Sequence, residues 1–155
     1  MKRGFGLLAA LAAGLLTVAS PARAEDGYAL WLRYPEAPAE PAEVLIERSS
    51  PVIEAAAAEL RRGLGGRVAR VLLATTADPR VAALGIAQSP GEEGYLVRRA
   101  EIDGRPAVVV ASDGERGLLY GAFALLRHLN AGGSAEAIEL RSAPRIGLRV
   151  LNHWD

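Results

Sequence analysis

The sequence predicts an α/β (α+β) domain in which a mixed β-sheet packs on helices. Three observations predict it. Apolar residues recur at helical spacing after Ser50 and after Asp113, a nearly continuous apolar run occupies residues 68–75, and Asp103-Gly104 separates two alternating runs. Strand and helix signals therefore alternate along the chain, as in layered α/β domains. At 155 residues, the chain has room for one such domain.

The first 24 residues have the features of a secretory signal peptide. Lys2 and Arg3 precede an apolar stretch at residues 5–18, and Ala22-Arg23-Ala24 offers small residues to a signal peptidase. The alternative, an uncleaved membrane anchor, is disfavoured because the apolar stretch is short for a bilayer. We therefore expect cleavage after Ala24, a periplasmic or extracellular location, and no membrane attachment afterwards.

The first half of the domain, which we expect to span residues 25–144, begins with an alternating strand pattern at residues 27–34. The proline-rich residues 35–43 predict an exposed loop. Ser50 predicts the N-cap and Pro51 the first position of a helix that ends at Gly65-Gly66. The apolar residues 68–75 predict a strand covered on both faces.

The second half begins with a brief helix capped by Asp78 and ending at Gly85. Residues 95–102 and 106–111 predict the two arms of a hairpin. Asp113 is the predicted cap of a long helix over residues 115–129, which ends before Gly132-Gly133, and residues 138–140 predict a short strand.

The tail, residues 145–155, reads as a further strand. Ile146, Leu148 and Val150 alternate with the residues between them, and no later segment of this chain could pair with that strand. We therefore expect further polypeptide beyond Asp155.

Most kinds of functional site are disfavoured by composition. Lys+Arg and Asp+Glu both number 18, which gives no reason to expect nucleic acid, and the absence of cysteine excludes thiolate sites. His128 and His153 lack carboxylates at ligand spacing, so no metal site is expected. Gly114-Glu115-Arg116-Gly117 resembles a phosphate-binding turn, but tight entry into a helix explains it better. We name no catalytic residue in this chain.

The exception is the tail, where Asn152, His153, Trp154 and Asp155 follow an apolar strand pattern. The carboxyl ends of barrel strands carry active sites, and a flat indole suits the apolar face of a sugar ring. These residues fit a substrate-binding wall and a packed strand end equally well.

Two motifs carry a family resemblance. The tail RIGLRVLNHWD resembles the start of the catalytic barrel in the α-glucuronidases of glycoside hydrolase family 67. The helix in residues 112–129 is similar to one in the N-terminal domain of that family, through these residues: Gly114, Gly117, Tyr120, Gly121, Leu125, Leu126 and Arg127. Hexosaminidases carry a related domain with a similar helix, so the tail is what selects the family.

The resemblance implies a hexosaminidase N-terminal-domain-like fold that ends, at residues 145–155, in the first strand of a truncated (β/α)8 barrel. It implies a secreted, cofactor-free hydrolase that removes (4-O-methyl)-glucuronic acid from glucuronoxylan-derived oligosaccharides, and it allows a homodimer of the full-length enzyme. Trp154 matches a residue lining the glucuronate pocket, and Asn152, His153 and Asp155 match its neighbours. The catalytic carboxylates would lie beyond Asp155. A non-catalytic carbohydrate-binding or interaction module and a hexosaminidase-type domain remain as alternatives.

Overall fold

The computed structural model describes residues 41–86, 88–147 and 150. Those residues form a five-stranded sheet of order β1-β2-β4-β3-β5. The strands are β1 (Glu43–Ile46), β2 (Arg70–Thr75), β3 (Tyr95–Ile102), β4 (Arg105–Ser112) and β5 (Glu139–Ser142). The helices are α1 (Pro51–Gly63), α2 (Pro79–Ala82) and α3 (Glu115–Asn130). The predicted fold class, a mixed sheet packed on helices, is confirmed.

Strand direction places four strand ends at one edge of the sheet. The β1–β2 and β2–β4 pairs are parallel, and β3 is antiparallel to both β4 and β5. Strands β1, β2, β4 and β5 therefore run the same way, and β3 is the reversed one. We call the edge at which these four strands end the carboxyl edge; it comprises residues 46–47, 75–76, 112–113 and 142.

Both faces of the sheet are covered by apolar side chains. Helices α1 and α3 pack on one face, where Leu60 and Leu125 lie against Val71 and Val110. The opposite face carries a second cluster, in which Val81 of α2 packs with residues of the central strands such as Leu72 and Val109. The alternation of a strand sends neighbouring residues to opposite faces, so β2 and β4 are buried on both sides, as the apolar runs predict.

The local signals at α1 and at the hairpin act as predicted. Ser50 Oγ accepts a hydrogen bond from the Ile53 amide at 3.2 Å, and Pro51 occupies the first turn of α1. In the hairpin, Asp103 has φ of 51° and Gly104 has φ of 72°. Two successive residues in the left-handed backbone conformation form a tight turn whose twist matches that of the flanking strands. Asp and Gly adopt this conformation readily, so Asp-Gly specifies the connection.

Two glycines bring α3 close to the sheet. A Cβ on Gly117 would overlap Ser112 Oγ and the carbonyl oxygen of Gly94. A Cβ on Gly121 would lie 2.6 Å from Cγ1 of Val110. The spacing of four residues puts both glycines on one side of the helix, so α3 approaches β3 and β4 through a surface without side chains.

Strand β1 was not predicted from the sequence. Residues 35–43 predict a loop, but Glu43 already pairs with Arg70 as the first residue of a strand parallel to β2. Four residues are too few to show a period of two, and parallel pairing depends on a distant segment. The predicted strand at residues 27–34 lies outside the described residues, as does most of the predicted tail strand. No helix in the described part of the chain is long and apolar enough to cross a bilayer.

Candidate functional site: the carboxyl edge of the sheet

Among the described residues, the buried polar side chains Thr75 and Ser112 lie at the carboxyl edge, and buried Asp78 follows shortly after it. Helices α1 and α3 both begin there, because each follows a strand that ends at this edge. In open α/β sheets, ligands bind outside the carboxyl ends of the strands. The polar residues at this edge are therefore the candidate functional site.

Asp113 is the centre of this group. Its Oδ1 accepts a hydrogen bond from Thr76 Oγ1 at 2.5 Å, and its Oδ2 accepts from Ser89 Oγ and, at 3.1 Å, from the Gly91 amide. The hydrogen bond from Ser89 and that from Thr76 hold the pKa of the Asp113 carboxyl below its ordinary value of 3.8, because both favour the charged form. One ionised carboxylate thus joins the segments after β2, before β3 and after β4.

This role corrects the prediction for Asp113. The sequence predicts that its side chain caps α3, but the N-cap is Gly114, which makes no side-chain capping bond. The carboxylate turns instead to Thr76 and Ser89, residues 37 and 24 positions away. The sequence shows a polar residue, Asp113, at the end of a buried strand. Its partners Thr76 and Ser89 come from distant segments of the chain.

Ser112 also binds the loop that precedes β3. Its side chain is fully buried, and Oγ lies 2.7 Å from the carbonyl oxygen of Gly94 and 3.1 Å from that of Gly91. The amide of Gly114 donates to the same Oγ at 3.2 Å. The loop before β3 is therefore fastened to the end of β4 at several points.

The other carboxylates of this edge are also engaged. Glu47 Oε2 accepts from the amide of Thr75 at 2.9 Å and from its hydroxyl at 2.7 Å. Glu115 Oε2 accepts from Ser50 Oγ at 2.8 Å, which links the starts of α3 and α1.

Asp78 caps α2, as predicted, by accepting from the Arg80 amide, and its Oδ2 lies 2.6 Å from the Arg80 guanidinium. The side-chain hydrogen bond from Arg80 is the main cause that lowers the pKa of Asp78. A general acid needs a carboxyl that stays protonated near neutral pH, and Asp78 and Asp113 are shifted the opposite way.

A cleft of about 200 Å³ opens at this edge. It is lined by Thr76, Val81, Ala82, Gly85, Ile86 and Ser89. Its walls combine polar and apolar groups, and its two hydroxyl groups are those that donate to Asp113. Sequence analysis did not predict the cleft.

The glycine-rich turn before α3 serves helix entry, as the sequence indicates. The Gly117 amide donates to the Glu92 carbonyl at 3.0 Å, and the Gly114 amide donates to Ser112. Two of the amide groups that could hold a phosphate are therefore used within the protein.

The predicted substrate-binding residues Asn152, His153, Trp154 and Asp155 lie outside the described residues, so their role stays a prediction. His128 lies on α3, with Nε2 3.2 Å from the carbonyl oxygen of Ser134. Within the described ranges, no group of three His, Asp or Glu side chains is arranged to hold a metal ion.

Comparison with known proteins identifies the domain. A family model described as the glycosyl hydrolase family 67 N-terminus matches residues 30–125, which is more than half of the chain. The chain belongs to this family. The family 67 domain thus matched extends from the predicted first strand through most of α3.

A curated relative agrees with this assignment. The chain is 33% identical, over 180 aligned residues, to "Alpha-glucuronidase A" of Emericella nidulans. That alignment covers 99% of this chain and 20% of the fungal protein, so the chain spans about a fifth of the length of its relative. The resemblance seen in the sequence motifs is confirmed at the level of the family.

Proposed function

We propose that this chain is the N-terminal part of a secreted α-glucuronidase and serves it mainly as a scaffold. The reaction is hydrolysis of the α-1,2 bond between (4-O-methyl)-glucuronic acid and xylo-oligosaccharides, a step in xylan breakdown. The observation that carries the proposal is the match of nearly the whole chain to one fifth of an α-glucuronidase. The catalytic carboxylates then belong to the polypeptide that follows Asp155.

The carboxyl edge supports this division of labour. The family resemblance implies hydrolysis with inversion, which needs two carboxyl groups about 6.5–9.5 Å apart on either side of the scissile bond, one of them with a raised pKa. Asp113 is ionised and accepts three hydrogen bonds, and Asp78 is ionised and bound to Arg80. Both carboxylates are thus committed to holding loops and helix ends in position.

Trp154 is the residue of this chain that we expect to meet the substrate. It follows the alternating tail, at what would be the carboxyl end of the first barrel strand, where barrel enzymes build their sites. Its indole would form one wall of the glucuronate pocket, and Asn152, His153 and Asp155 would bind sugar hydroxyls or hold the ring.

The test compares the full-length polypeptide encoded by the gene with this 155-residue chain, both incubated with an aldouronic acid. We expect glucuronic acid release from the full-length polypeptide and none from the chain alone. In the full-length enzyme, Trp154→Ala should lower kcat/KM about 10- to 100-fold. Each tenfold loss corresponds to about 1.4 kcal/mol of lost transition-state stabilisation.

Trp31→Ala is the matched control, since Trp31 belongs to the predicted first strand and is far from Trp154 in the sequence. It should leave kcat/KM within about twofold when both variants are assayed well below their melting temperatures. Activity of the 155-residue chain by itself would contradict the scaffold role. Near-normal kinetics of Trp154→Ala with a collapsed melting temperature would assign that residue to packing.

A further inference from the structure

We infer that the cleft at the carboxyl edge receives an aromatic side chain from the catalytic polypeptide that begins at residue 145, so that this edge is the interface between scaffold and catalytic part. The inference rests on the proposed function, because it requires the chain to continue into a catalytic domain. Chain path, cleft position and cleft chemistry each support it.

The chain path brings the downstream polypeptide to this edge. Strand β5 runs with β4 and ends at Ser142, on the carboxyl edge. Residues 143–144 separate Ser142 from the predicted barrel strand at residues 145–155, and the three Cα steps from residue 142 to residue 145 span at most about 11 Å. A barrel that begins at residue 145 must therefore start within that distance of the carboxyl edge.

The cleft lies beside this exit. The Arg141 side chain, which precedes the last residue of β5, donates through Nη2 to the carbonyl oxygens of Gln88 at 2.6 Å and Ser89 at 3.1 Å. Ser89 in turn lines the cleft. One arginine side chain thus spans the distance from the departing strand to the cleft wall.

The size and chemistry of the cleft favour a side chain over a free ligand. Its volume of about 200 Å³ is below the roughly 300–1,000 Å³ typical of pockets for small molecules. Ala82 and Ile86 offer exposed apolar surface, and Val81, which also lines the cleft, is fully buried. The hydroxyls of Thr76 and Ser89 donate their hydrogens to Asp113, and Ser89 Oγ also accepts from the Gly91 amide at 3.1 Å. Each hydroxyl oxygen has two acceptor positions, so at least one remains on Ser89 for a polar hydrogen in the cleft, and Thr76 can also accept. An apolar ring with one polar hydrogen, as in Trp or Tyr, matches both properties.

The absence of cysteine from this chain permits a direct test by thiol labelling. Ala82 is exposed and lines the cleft, and Ala83 is exposed without lining it. Ala82→Cys and Ala83→Cys would each be made in the 155-residue chain and in the full-length polypeptide. Both lengths are then reacted with a maleimide, and the unsubstituted proteins give the background rate.

We expect the thiol at position 82 to react at least about tenfold more slowly in the full-length polypeptide than in the 155-residue chain, because the cleft must open before the reagent enters. The thiol at position 83 should react at similar rates in both lengths. Equal rates at position 82 would overturn the inference. Equal protection of both positions would also overturn it, since that result would indicate cover over the whole of α2.

Glucuronic acid release, measured on the same preparations, separates the two proposals. A full-length polypeptide that protects position 82 but releases no glucuronic acid would retain the interface and overturn the proposed function. An active polypeptide with an unprotected thiol at position 82 would retain the function and overturn the interface.

Discussion

Asp113 joins three separate segments through one carboxylate, and its removal should be costly. Asp113→Asn replaces one acceptor oxygen with an NH2 group, which can only donate. The hydroxyl of Thr76 or that of Ser89 therefore loses its acceptor. We expect a loss of about 2 kcal/mol in the free energy of unfolding at neutral pH, as for hydrogen bonds to charged groups. Urea denaturation of the chain measures it. Glu101→Gln, at an exposed position on β3, is the control and should change stability by less than about 0.5 kcal/mol.

The same carboxylate predicts a pH dependence with a defined sign. The pKa of Asp113 is lower in the folded protein than its ordinary value of 3.8, so the folded state binds the proton less readily than the unfolded state. Its stabilisation is therefore complete well above pH 3.8 and is lost as the pH falls through the folded pKa. The stability gap between the wild-type chain and Asp113→Asn should narrow over that range, and a constant gap would contradict this account.

Individual residues show where sequence reasoning succeeds and where it stops. Ser50 and Asp78 bond to amides two or three residues away, so the local sequence contains both partners and predicts both caps. Asp113 finds its partners in distant loops, and only the folded sheet brings them together. The local sequence therefore predicts a polar residue at the end of β4 and cannot predict which residues bond to it.

At the scale of elements, the packing of α3 depends on Gly117. Gly117→Ala gains helix propensity but forces a methyl group against Ser112 and a backbone carbonyl of Gly94. We expect a net loss of about 1–3 kcal/mol, as in other overpacked interiors. Arg116→Ala, one position away on the exposed side, removes an ion pair with Glu93 and should cost less than about 1 kcal/mol. Thermal unfolding compares the two, and equal melting temperatures would contradict close packing at Gly117.

Helices and strands differ in how far their own sequence predicts them. Helices α1 and α3 are long enough for their apolar residues to recur over several turns, and the hairpin is specified by Asp103-Gly104. Strand β1 has four residues and pairs in parallel with a strand that follows a whole helix. Its pairing partner, rather than its own sequence, makes it a strand.

At the scale of the whole molecule, the predicted signal peptide makes a testable statement about export. We expect mass spectrometry of secreted material to find Glu25 as the first residue, because small residues at positions 22 and 24 suit a signal peptidase. Ala24→Leu should block this cleavage, and Glu25→Gln should leave it unchanged. Protein that retains Met1 in a membrane fraction would contradict the prediction.

The predicted sugar contacts and the described fold belong to different parts of the chain. The family assignment rests on residues 30–125, whereas Trp154 and its neighbours lie beyond the described residues. Their expected role depends on a barrel that would form around them from polypeptide outside this chain. The motif resemblance could predict the family. The geometry of a sugar pocket also depends on residues of the barrel that lie outside this chain.

The strand order has a final consequence, for self-association. In the described part of the chain, the outermost strands of the sheet are β1 and β5, each of four residues. Glu43 lies on one of them, and Glu139 and Arg141 lie on the other. Short, charged edges are poor templates for strand addition by a second molecule, whereas the long apolar strands β2 and β4 are enclosed between neighbours. The order of strands thus shields the segments most prone to form intermolecular sheets.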